Sequence, residues 1–490
     1  MRTFRVALAL ATMTLLMSAT SVGADPRDEP TNKSELLKDE RFFLEQSQRA
    51  YQQGPRTGSA RNMVVVGHND LGGRGFNADV WFHEGFAYVG HWGFTDWATG
   101  NDRFCPEPPN SGVAVIDASD PSNPLEVGVL QNPAGTSAED VVVYTAPFGP
   151  YAGHDIAAVG VQVCGGSRYD ASFPRGLQLW DVTDPTTPVE LGFYESGCCA
   201  RGVHEFEVED RTDLGRTFAY ATVPSSEEAD ANSPSGRQDQ LGRGPFRLVD
   251  ITDPTNPEEV SNWGFLHDGV PPGTPLGCDQ DALFGHGAEP SEDGETVFLS
   301  YWDSGFVALD VSNPAIPQFL GRTVYSADAD GDGHSSSYDD ERQLLFTADE
   351  DFCKTSGSET EKGWGFLRVY DYADPSTPVQ IGAYRTPNSI GPGDPGAGDY
   401  TIHNPLLVGD TVYASWYTDG VRVIDVSDPT DPVEVAYFVP PAGDNPVKPR
   451  QRFVLPSTTQ VWGVVVDPVT GLIYISDMNS GLWILQRTDA

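Results

Sequence analysis

One phrase recurs six times along the chain and limits the folds that this sequence can adopt. It reads "DVSDPTDPVEV" at residues 425–435, and related copies begin at Asp117, Asp181, Asp250, Asp310 and Asp371. The first prolines of the copies stand at 121, 185, 254, 314, 375 and 429, so neighbouring copies lie 54 to 69 residues apart. Such a period is typical of folds assembled from one supersecondary unit.

Each copy of the phrase predicts a strand, a tight turn and a second strand. In the last copy, Asp428 can accept hydrogen bonds from backbone NH groups of the turn, and Pro429 presets φ for its first position. Pro432 has no NH group, so it suits the start of an outer strand. The phrase therefore predicts a hairpin that leads into the edge of a sheet.

Two further strands precede each hairpin, so one repeat corresponds to a four-stranded unit. Seven third strands can be counted: Val113–Asp117, Leu177–Asp181, Phe246–Asp250, Phe306–Asp310, Leu367–Asp371, Val421–Asp425 and Leu482–Gln486. The seventh unit has no fourth strand after it, whereas "MVVVG" at 63–67 is a strand without a unit. We therefore expect an all-β fold, a seven-bladed β-propeller of four-stranded blades in which this N-terminal strand closes the ring.

The third strands and their turns also resemble a known repeat. The strings "GVAVIDASDP", "GLQLWDVTDP", "FRLVDITDP" and "GVRVIDVSDP" are similar to the LVIVD repeat of exported bacterial and archaeal proteins. The resemblance extends over residues 61–487. It implies a propeller-like fold and names no activity, because one fold can host many functions.

The N-terminus predicts export. A basic "MRTFR" precedes an apolar run and the small residues "VGA", which is typical of a signal peptide over residues 1–24. Residues 25–60 then form an N-terminal extension, partly helical or mobile, and residues 61–487 the propeller. We expect a secreted, extracellular or periplasmic protein with no membrane span in the mature chain.

The charge of the mature chain excludes some classes of partner. Removing residues 1–24 takes away two of the 30 basic residues and none of the 71 acidic ones, so the formal charge becomes 28 − 71 = −43. Nucleic acids and anionic membranes bind to cationic patches, so neither is an expected partner. The expected partner is a protein, a glycan or a small molecule, bound by a monomer.

The chain has six cysteines, and an even number in an exported protein favours disulfides. Cys105 and Cys164 fall in loops of the same type in adjacent units, so we expect them to pair. Either Cys198 or Cys199 is expected to pair with Cys278. The partner of Cys353 stays open.

Polar residues recur where the first strand of each unit begins, beside the expected central channel. Units three to six place His204, His286, His334 and His403 there, and units one and two place Asp79 and Asp140. Histidines and carboxylates at one channel mouth predict a transition-metal site. The structural alternative is that each histidine bonds within its own unit, to an aspartate of the third strand or a hydroxyl group of the second strand.

A second candidate site lies in "DADGDGHSSSYD" at residues 328–339. Asp328, Asp330, Asp332 and Asp339 have the spacing of oxygen ligands in a calcium loop, and Gly333 permits a sharp turn. The predicted flanks are strands where a calcium loop usually has helices, and position 12 holds the shorter aspartate. The alternative is an acidic turn.

These features support two hypotheses of different classes. The first is an exported, non-catalytic binding or scaffold propeller that uses the face with the long loops between units and between second and third strands. The alternative is a metal-dependent enzyme, a hydrolase or an oxidoreductase, at the channel mouth. No complete set of catalytic residues appears in the sequence, and for this reason the first hypothesis is preferred.

Overall fold

The computed structural model describes residues 58–95, 103–109, 111–166, 170–198, 200–224, 243–274, 276, 285–326, 329–352, 363–390, 398–443 and 458–489. All structural statements below concern these residues. They contain β-strands and one short 3-10 turn at Leu71–Gly73. The predicted signal peptide and residues 25–57 of the N-terminal extension lie outside them. No helix within the described residues is both long and apolar enough to cross a membrane.

The strands form seven four-stranded antiparallel sheets, numbered here in chain order. Sheet 1 contains Asn77–His83, Phe86–His91, Val113–Asp117 and Leu125–Leu130, and sheet 2 contains Thr136–Thr145, Asp155–Val163, Gly176–Asp181 and Val189–Glu195. Sheet 3 contains Phe206–Arg211, Arg216–Thr222, Phe246–Asp250 and Glu258–Trp263, and sheet 4 contains Ala288–Pro290, Thr296–Ser300, Phe306–Asp310 and Gln318–Arg322. Sheet 5 contains Gly333–Asp339, Leu344–Asp349, Leu367–Asp371 and Val379–Tyr384.

The last two sheets include strands from the N-terminal part of the described chain. Sheet 6 contains Pro405–Val408, Thr411–Ser415, Val421–Asp425 and Val433–Val439, with Ser59–Arg61 added outside the fourth strand. Sheet 7 contains Val461–Val466, Ile473–Asp477, Gly481–Arg487 and, as its outer strand, Met63–Asn69. A two-residue hairpin pairs Phe94–Thr95 with Arg103–Phe104. A single residue pair, His91 with Ala138, joins sheets 1 and 2.

The predicted hairpins are confirmed. All seven third strands are present at the predicted places, and the turn of the last copy has the expected chemistry: Thr430 N donates to Asp428 Oδ1 at 3.0 Å. The hydroxyl group of Thr430 also donates to Asp428 Oδ1, at 2.7 Å. The hydroxyl and backbone hydrogen bonds lower the pKa of Asp428. The fourth strand of sheet 6 begins directly after Pro432. The third strands are nearly fully buried, because both of their faces lie in apolar clusters.

Each sheet packs face to face on the next through its own apolar cluster. One cluster lies between sheets 1 and 2, and five more follow between successive sheets up to sheet 7. A seventh joins sheet 7 to sheet 1, where Tyr474 and Leu482 meet Val89 and Ile116. The first strands also contact one another from sheet to sheet, including the first strands of sheets 7 and 1. The cavity described below lies among these first strands.

Candidate functional site

A β-bulge at the start of each first strand determines which side chains face inward. In sheet 2 the register jumps so that Glu139 and Asp140 both oppose Gly160, and Ala78 and Asp79 oppose Gly90 in the same way. Two residues opposing one interrupt the alternation of a strand, so two consecutive side chains can be directed to one side.

The other sheets carry related irregularities at the same place. In sheet 4, His286 N donates to Ser300 O, and Ser300 N donates to Gly287 O. Sheets 3 and 6 show the same exchange, and sheets 5 and 7 have a register shift there. The residue pairs at this point are Ala78–Asp79, Glu139–Asp140, His204–Glu205, His286–Gly287, His334–Ser335, His403–Asn404 and Trp462–Gly463.

This alignment shifts two predicted site residues by one position. Ala78 and Glu139 occupy the places that correspond to the histidines, whereas Asp79 and Asp140 correspond to Glu205. Asp79 and Asp140 still face the central cavity beside Glu205. The hydroxyl groups of Thr222 and Ser415 bond to backbone carbonyls of the bulges, so they are not the histidine partners that the structural alternative required.

The four predicted histidines form one continuous buried row. Ring centroids are 4.4 Å apart for His204 and His286, 3.8 Å for His286 and His334, and 4.3 Å for His334 and His403. Each side chain is at most 1 % exposed. Burial, followed by the proximity of the other imidazoles, holds the pKa of His204, His334 and His403 well below the usual value, so these rings are neutral at neutral pH.

His204 and His286 belong to a directed chain of hydrogen bonds. Trp92 Nε1 donates to Gln162 Oε1 at 3.1 Å, which orients the amide so that Gln162 Nε2 faces His204 Nδ1 at 2.7 Å as a donor. With Nδ1 accepting, the neutral ring of His204 carries its proton on Nε2, which lies 2.8 Å from His286 Nε2.

The chain of hydrogen bonds leads toward a carboxylate. Because His286 Nε2 accepts from His204, its proton lies on Nδ1, which is 3.5 Å from Glu205 Oε2. The Nδ1–H group of His286 therefore faces Glu205, and neither histidine presents a lone pair to the cavity.

His403 has the opposite character. Its Nδ1 lies 2.9 Å from the carbonyl oxygen of Trp462, which can only accept, so Nδ1 carries the proton. The lone pair is therefore on Nε2. That atom is buried and has no hydrogen-bond partner among the described residues.

His334 is held in the same tautomer. The hydroxyl hydrogen of Ser335 is directed to the carbonyl oxygen of His403, at 2.7 Å, so Ser335 Oγ accepts from His334 Nδ1 at 3.1 Å. The Nε2 lone pair of His334 then faces two carboxylates, Glu205 Oε1 at 3.8 Å and Glu350 Oε2 at 3.6 Å. Tyr417 donates its hydroxyl hydrogen to the other oxygen of Glu350.

Glu205, His334 and His403 can each offer one ligand atom, and these atoms all lie within 4.8 Å of one another. Two imidazoles whose Nδ1–H groups are bound elsewhere, with one carboxylate, make a ligand set that suits zinc and related divalent ions. The three acceptor atoms of this group lie close together in the interior, and neither neutral imidazole can donate a hydrogen bond to the carboxylate.

A second group of acceptors shares Glu205. Asp79 and Glu139 each place a carboxylate oxygen within 4.8 Å of Glu205 and of each other. Burial raises the pKa of Glu139 to about 8, and Arg201 and His286 only partly offset this. Burial and the neighbouring carboxylates Asp140, Glu205 and Glu139 raise the pKa of Asp79.

The cavity beside these groups has a volume of about 390 Å³. It extends from Asp79 and Glu205 to His83, Val408 and Pro468, which lie at the turns between first and second strands. Asp140, Glu207 and Glu289 add further acid to its wall. Burial raises the pKa of Asp140 to about 7 and that of Glu289 to about 8.

The predicted calcium loop is not formed as a 12-residue loop. Gly333–Asp339 is a strand, and at about 3.3 Å per residue its ends lie too far apart for one ion. Asp339 instead accepts from Arg342, with Nε 2.5 Å from Oδ2. Asp330 and Asp332 group with Asp351, within 4.8 Å, and Asp328 lies outside the described residues.

The disulfide prediction is confirmed for one pair. Cys105 and Cys164 are bonded, with their Cα atoms 5.1 Å apart. Cys198 is also disulfide-bonded. Cys199, Cys278 and Cys353 lie outside the described residues, so the pairing with Cys278 stays a prediction.

Sequence reasoning missed Glu139, Glu205 and Glu350. The first two directly adjoin residues that it selected, in "AEDV" and "VHEF", and strict alternation would direct one residue of each pair away from the cavity. The glycine opposite two of the bulges, Gly90 or Gly160, is the available sequence signal, since an isolated glycine in a strand often marks a bulge.

Comparison with known proteins finds the LVIVD repeat at residues 109–131, 294–324 and 407–438, in sheets 1, 4 and 6, which confirms the resemblance. No curated protein matches the chain. Among solved structures, a computationally designed protein, Ika8, is similar at 7 % identity over 84 % of this chain and 96 % of that chain, with a TM-score of 0.43. A chain of the Mitotic Checkpoint Complex is similar at 10 % identity over 88 % and 91 %, with a TM-score of 0.47.

Proposed function

We propose that this LVIVD-repeat chain is an exported binding protein that holds a divalent transition-metal ion at the centre of a seven-bladed β-propeller. Glu205, His334 and His403 are the proposed ligands. His204 and His286 are positioning residues, because the hydrogen bond between them directs the Nδ1–H group of His286 toward Glu205.

The observation that carries the proposal is the direction of the hydrogen bonds around the two ligand histidines. Both Nδ1–H groups are bound by acceptors of the protein, so both Nε2 lone pairs are available to a cation, and that of His334 faces two carboxylates. Lone pairs and carboxylates repel one another at such distances, and a cation between them removes the repulsion. The same arrangement orients ligand histidines in known metal sites.

The proposed architecture and location are supported by separate observations. Seven sheets, seven clusters between sheets and a contact between the first and last sheets suit a closed ring. The predicted signal peptide and the Cys105–Cys164 disulfide favour export to an oxidising compartment. The face with the long loops remains the proposed surface for a protein, glycan or small-molecule partner.

The test is metal analysis of protein purified without chelator and then loaded with one equivalent of Zn²⁺. We expect one tightly bound zinc ion per parent chain and no comparable binding by His403→Asn, because asparagine removes the free lone pair. His154→Asn is the matched control, since His154 is half exposed, pairs with Asp181 and belongs neither to the ligand groups nor to the wall of the cavity. Equal zinc binding by His403→Asn and the parent, or none by the parent, would reject the proposal.

The alternative is a metal-dependent hydrolase or oxidoreductase. One observation favours it: the cavity reaches Glu205 and has a volume within the range of about 300 to 1,000 Å³ that small-molecule sites occupy. Turnover that requires zinc and is absent from His403→Asn would support the enzyme. Binding of metal without turnover of any tested ester, phosphoester or redox substrate would favour the binding protein.

Calcium binding remains a separate proposal, now centred on Asp330, Asp332 and Asp351. We expect calcium to raise the melting temperature of the parent by a few degrees, because an ion that binds only the folded state stabilises it by mass action. The double variant Asp330→Asn with Asp332→Asn keeps the shape of both side chains and removes two charges. An equal rise in both proteins would assign the effect to other acidic groups.

A further inference from the structure

Glu205 belongs to two ligand groups at once. With His334 and His403 it forms the proposed zinc site, and with Asp79 and Glu139 it forms a group of three carboxylates. Its two oxygens face different neighbours, since Oε1 is 3.8 Å from His334 Nε2 and Oε2 is 3.5 Å from His286 Nδ1.

We infer that the centre is dinuclear: Asp79 and Glu139 bind a second divalent cation, and Glu205 bridges it to the first. This inference rests on the proposed function, because the bridge has no role without an ion at the histidines. Carboxylates that bridge two metal ions about 3.5 to 4 Å apart are a recurring arrangement in two-metal sites.

Glu139 supplies an observation that is independent of the acidic cluster. Its side chain is 0 % exposed, and its Oε1 atom has no hydrogen-bond partner among the described residues. The other oxygen contacts His204 Nδ1. A buried carboxylate oxygen without a donor is a site at which a cation gains binding energy.

Two glycines keep the space beside these carboxylates open. A Cβ atom at Gly463 would lie 2.6 Å from Asp79 Oδ1, and one at Gly287 would lie 2.8 Å from Glu205 Oε2. Both glycines occupy the second position of their bulges, where the other sheets have Asp79, Asp140, Glu205, Ser335 and Asn404. The carboxylates therefore have room to change rotamer when an ion binds.

The two halves of the centre favour different ions. Two imidazoles and one carboxylate suit zinc, cobalt or nickel, whereas three carboxylates suit a harder ion such as Mn²⁺ or Mg²⁺. Mn²⁺ is the better probe of the second half, because its electron paramagnetic resonance signal reports binding directly. The expected holoprotein contains one zinc and one manganese ion.

The experiment titrates Mn²⁺ into protein that already holds one equivalent of Zn²⁺. We expect one Mn²⁺ per chain in the parent, and affinity at least about tenfold weaker in Glu139→Gln, because even indirect partners of metal ligands contribute a factor of about 10 to 100. The zinc content of Glu139→Gln should not change. Glu205→Gln should weaken both ions.

Glu289→Gln is the matched control. Glu289 is an acid of the same cavity outside the proposed ligand set, and Tyr338 N donates to it at 3.0 Å. This variant removes one ionisable carboxyl group, whose pKa burial raises to about 8 as it does that of Glu139, and it should keep its manganese. Asp79→Asn provides a second ligand variant if Glu139→Gln does not fold, as judged by its circular dichroism.

The outcomes separate the two proposals. Zinc binding without stoichiometric manganese would reject the dinuclear centre and leave the proposed function intact. Equal loss of manganese in Glu139→Gln and Glu289→Gln would show a diffuse effect of charge and would also reject it. A parent chain that binds no zinc would reject the proposed function and the bridge together.

Discussion

Deleting residues 61–68 is expected to abolish the cooperative unfolding transition of the protein. The deletion removes most of the outer strand of sheet 7. This strand pairs with the last strand of the sheet, with Met63 opposite Arg487 at one end and Asn69 opposite Leu482 at the other. It also removes Gly67, which lies so close to sheet 1 that an added Cβ would be 2.0 Å from Pro121 O. Sheet 7 would lose an edge strand and part of its contact with sheet 1, which exposes backbone and apolar surface.

The expected loss is large relative to net stability. Folded proteins are stable by only about 5 to 15 kcal/mol, so loss of an entire strand consumes much of that margin. Thermal unfolding followed by circular dichroism measures the result. A protein lacking residues 25–55, which the sequence predicts to lie outside the ring, is the control and should melt like the parent. Two deletion proteins with the same melting temperature as the parent would contradict the role of this strand in closure.

Replacing Arg211 with alanine is expected to lower the free energy of unfolding by about 3 kcal/mol. Arg211 is 1 % exposed and lies at the end of the first strand of sheet 3. Its guanidinium donates to Val311 O and Ser312 O, both at 3.2 Å, in the hairpin turn of sheet 4. Removing it leaves the buried carbonyl group of Val311 without this donor and the interior without the packed guanidinium, and that loss is the main cost.

Arg216→Ala is the matched control for this substitution. Arg216 follows in the same hairpin and pairs with Asp250 at 3.2 Å, but it is 51 % exposed. Exposed pairs contribute about 0 to 1 kcal/mol, so this variant should unfold at nearly the denaturant concentration of the parent. If Arg211→Ala lowered the free energy of unfolding as little as Arg216→Ala does, the contact between sheets 3 and 4 would not depend on Arg211.

Local patterns were sufficient to predict most of the sheets. The third strands alternate and end in an aspartate–proline turn, and both signals act within a few residues. The pairing of 63–67 with the last strand is long-range, yet it was predictable because unit seven lacked one strand. The strand Ser59–Arg61 was not predicted, because its three exposed residues show no hydrophobic pattern. It pairs with the fourth strand of sheet 6, which is distant in sequence.

The candidate site was predictable only in part. The four histidines were selected correctly as neighbours, because equivalent positions in a repeat occupy equivalent places. Their different roles were not predictable, since these depend on hydrogen-bond partners such as Trp462 and Gln162 from other sheets. The spacing of a calcium loop did not predict the position of Asp339. This residue lies at the far end of an extended strand from Asp332, whereas a compact loop would bring the two carboxylates together.

The bulge in the first strands has a consequence for how such a centre can arise and change. Each sheet offers two adjacent inward positions at one level, and their occupants range from alanine and glycine to histidine, glutamate and tryptophan without altering the third strands or turns. The residues that determine the chemistry and the residues that determine the fold therefore occupy different positions of the same repeat. A relative could move the proposed metal site to another pair of sheets, or lose it, by substitutions at these positions alone, and the repeat sequence would not record the difference.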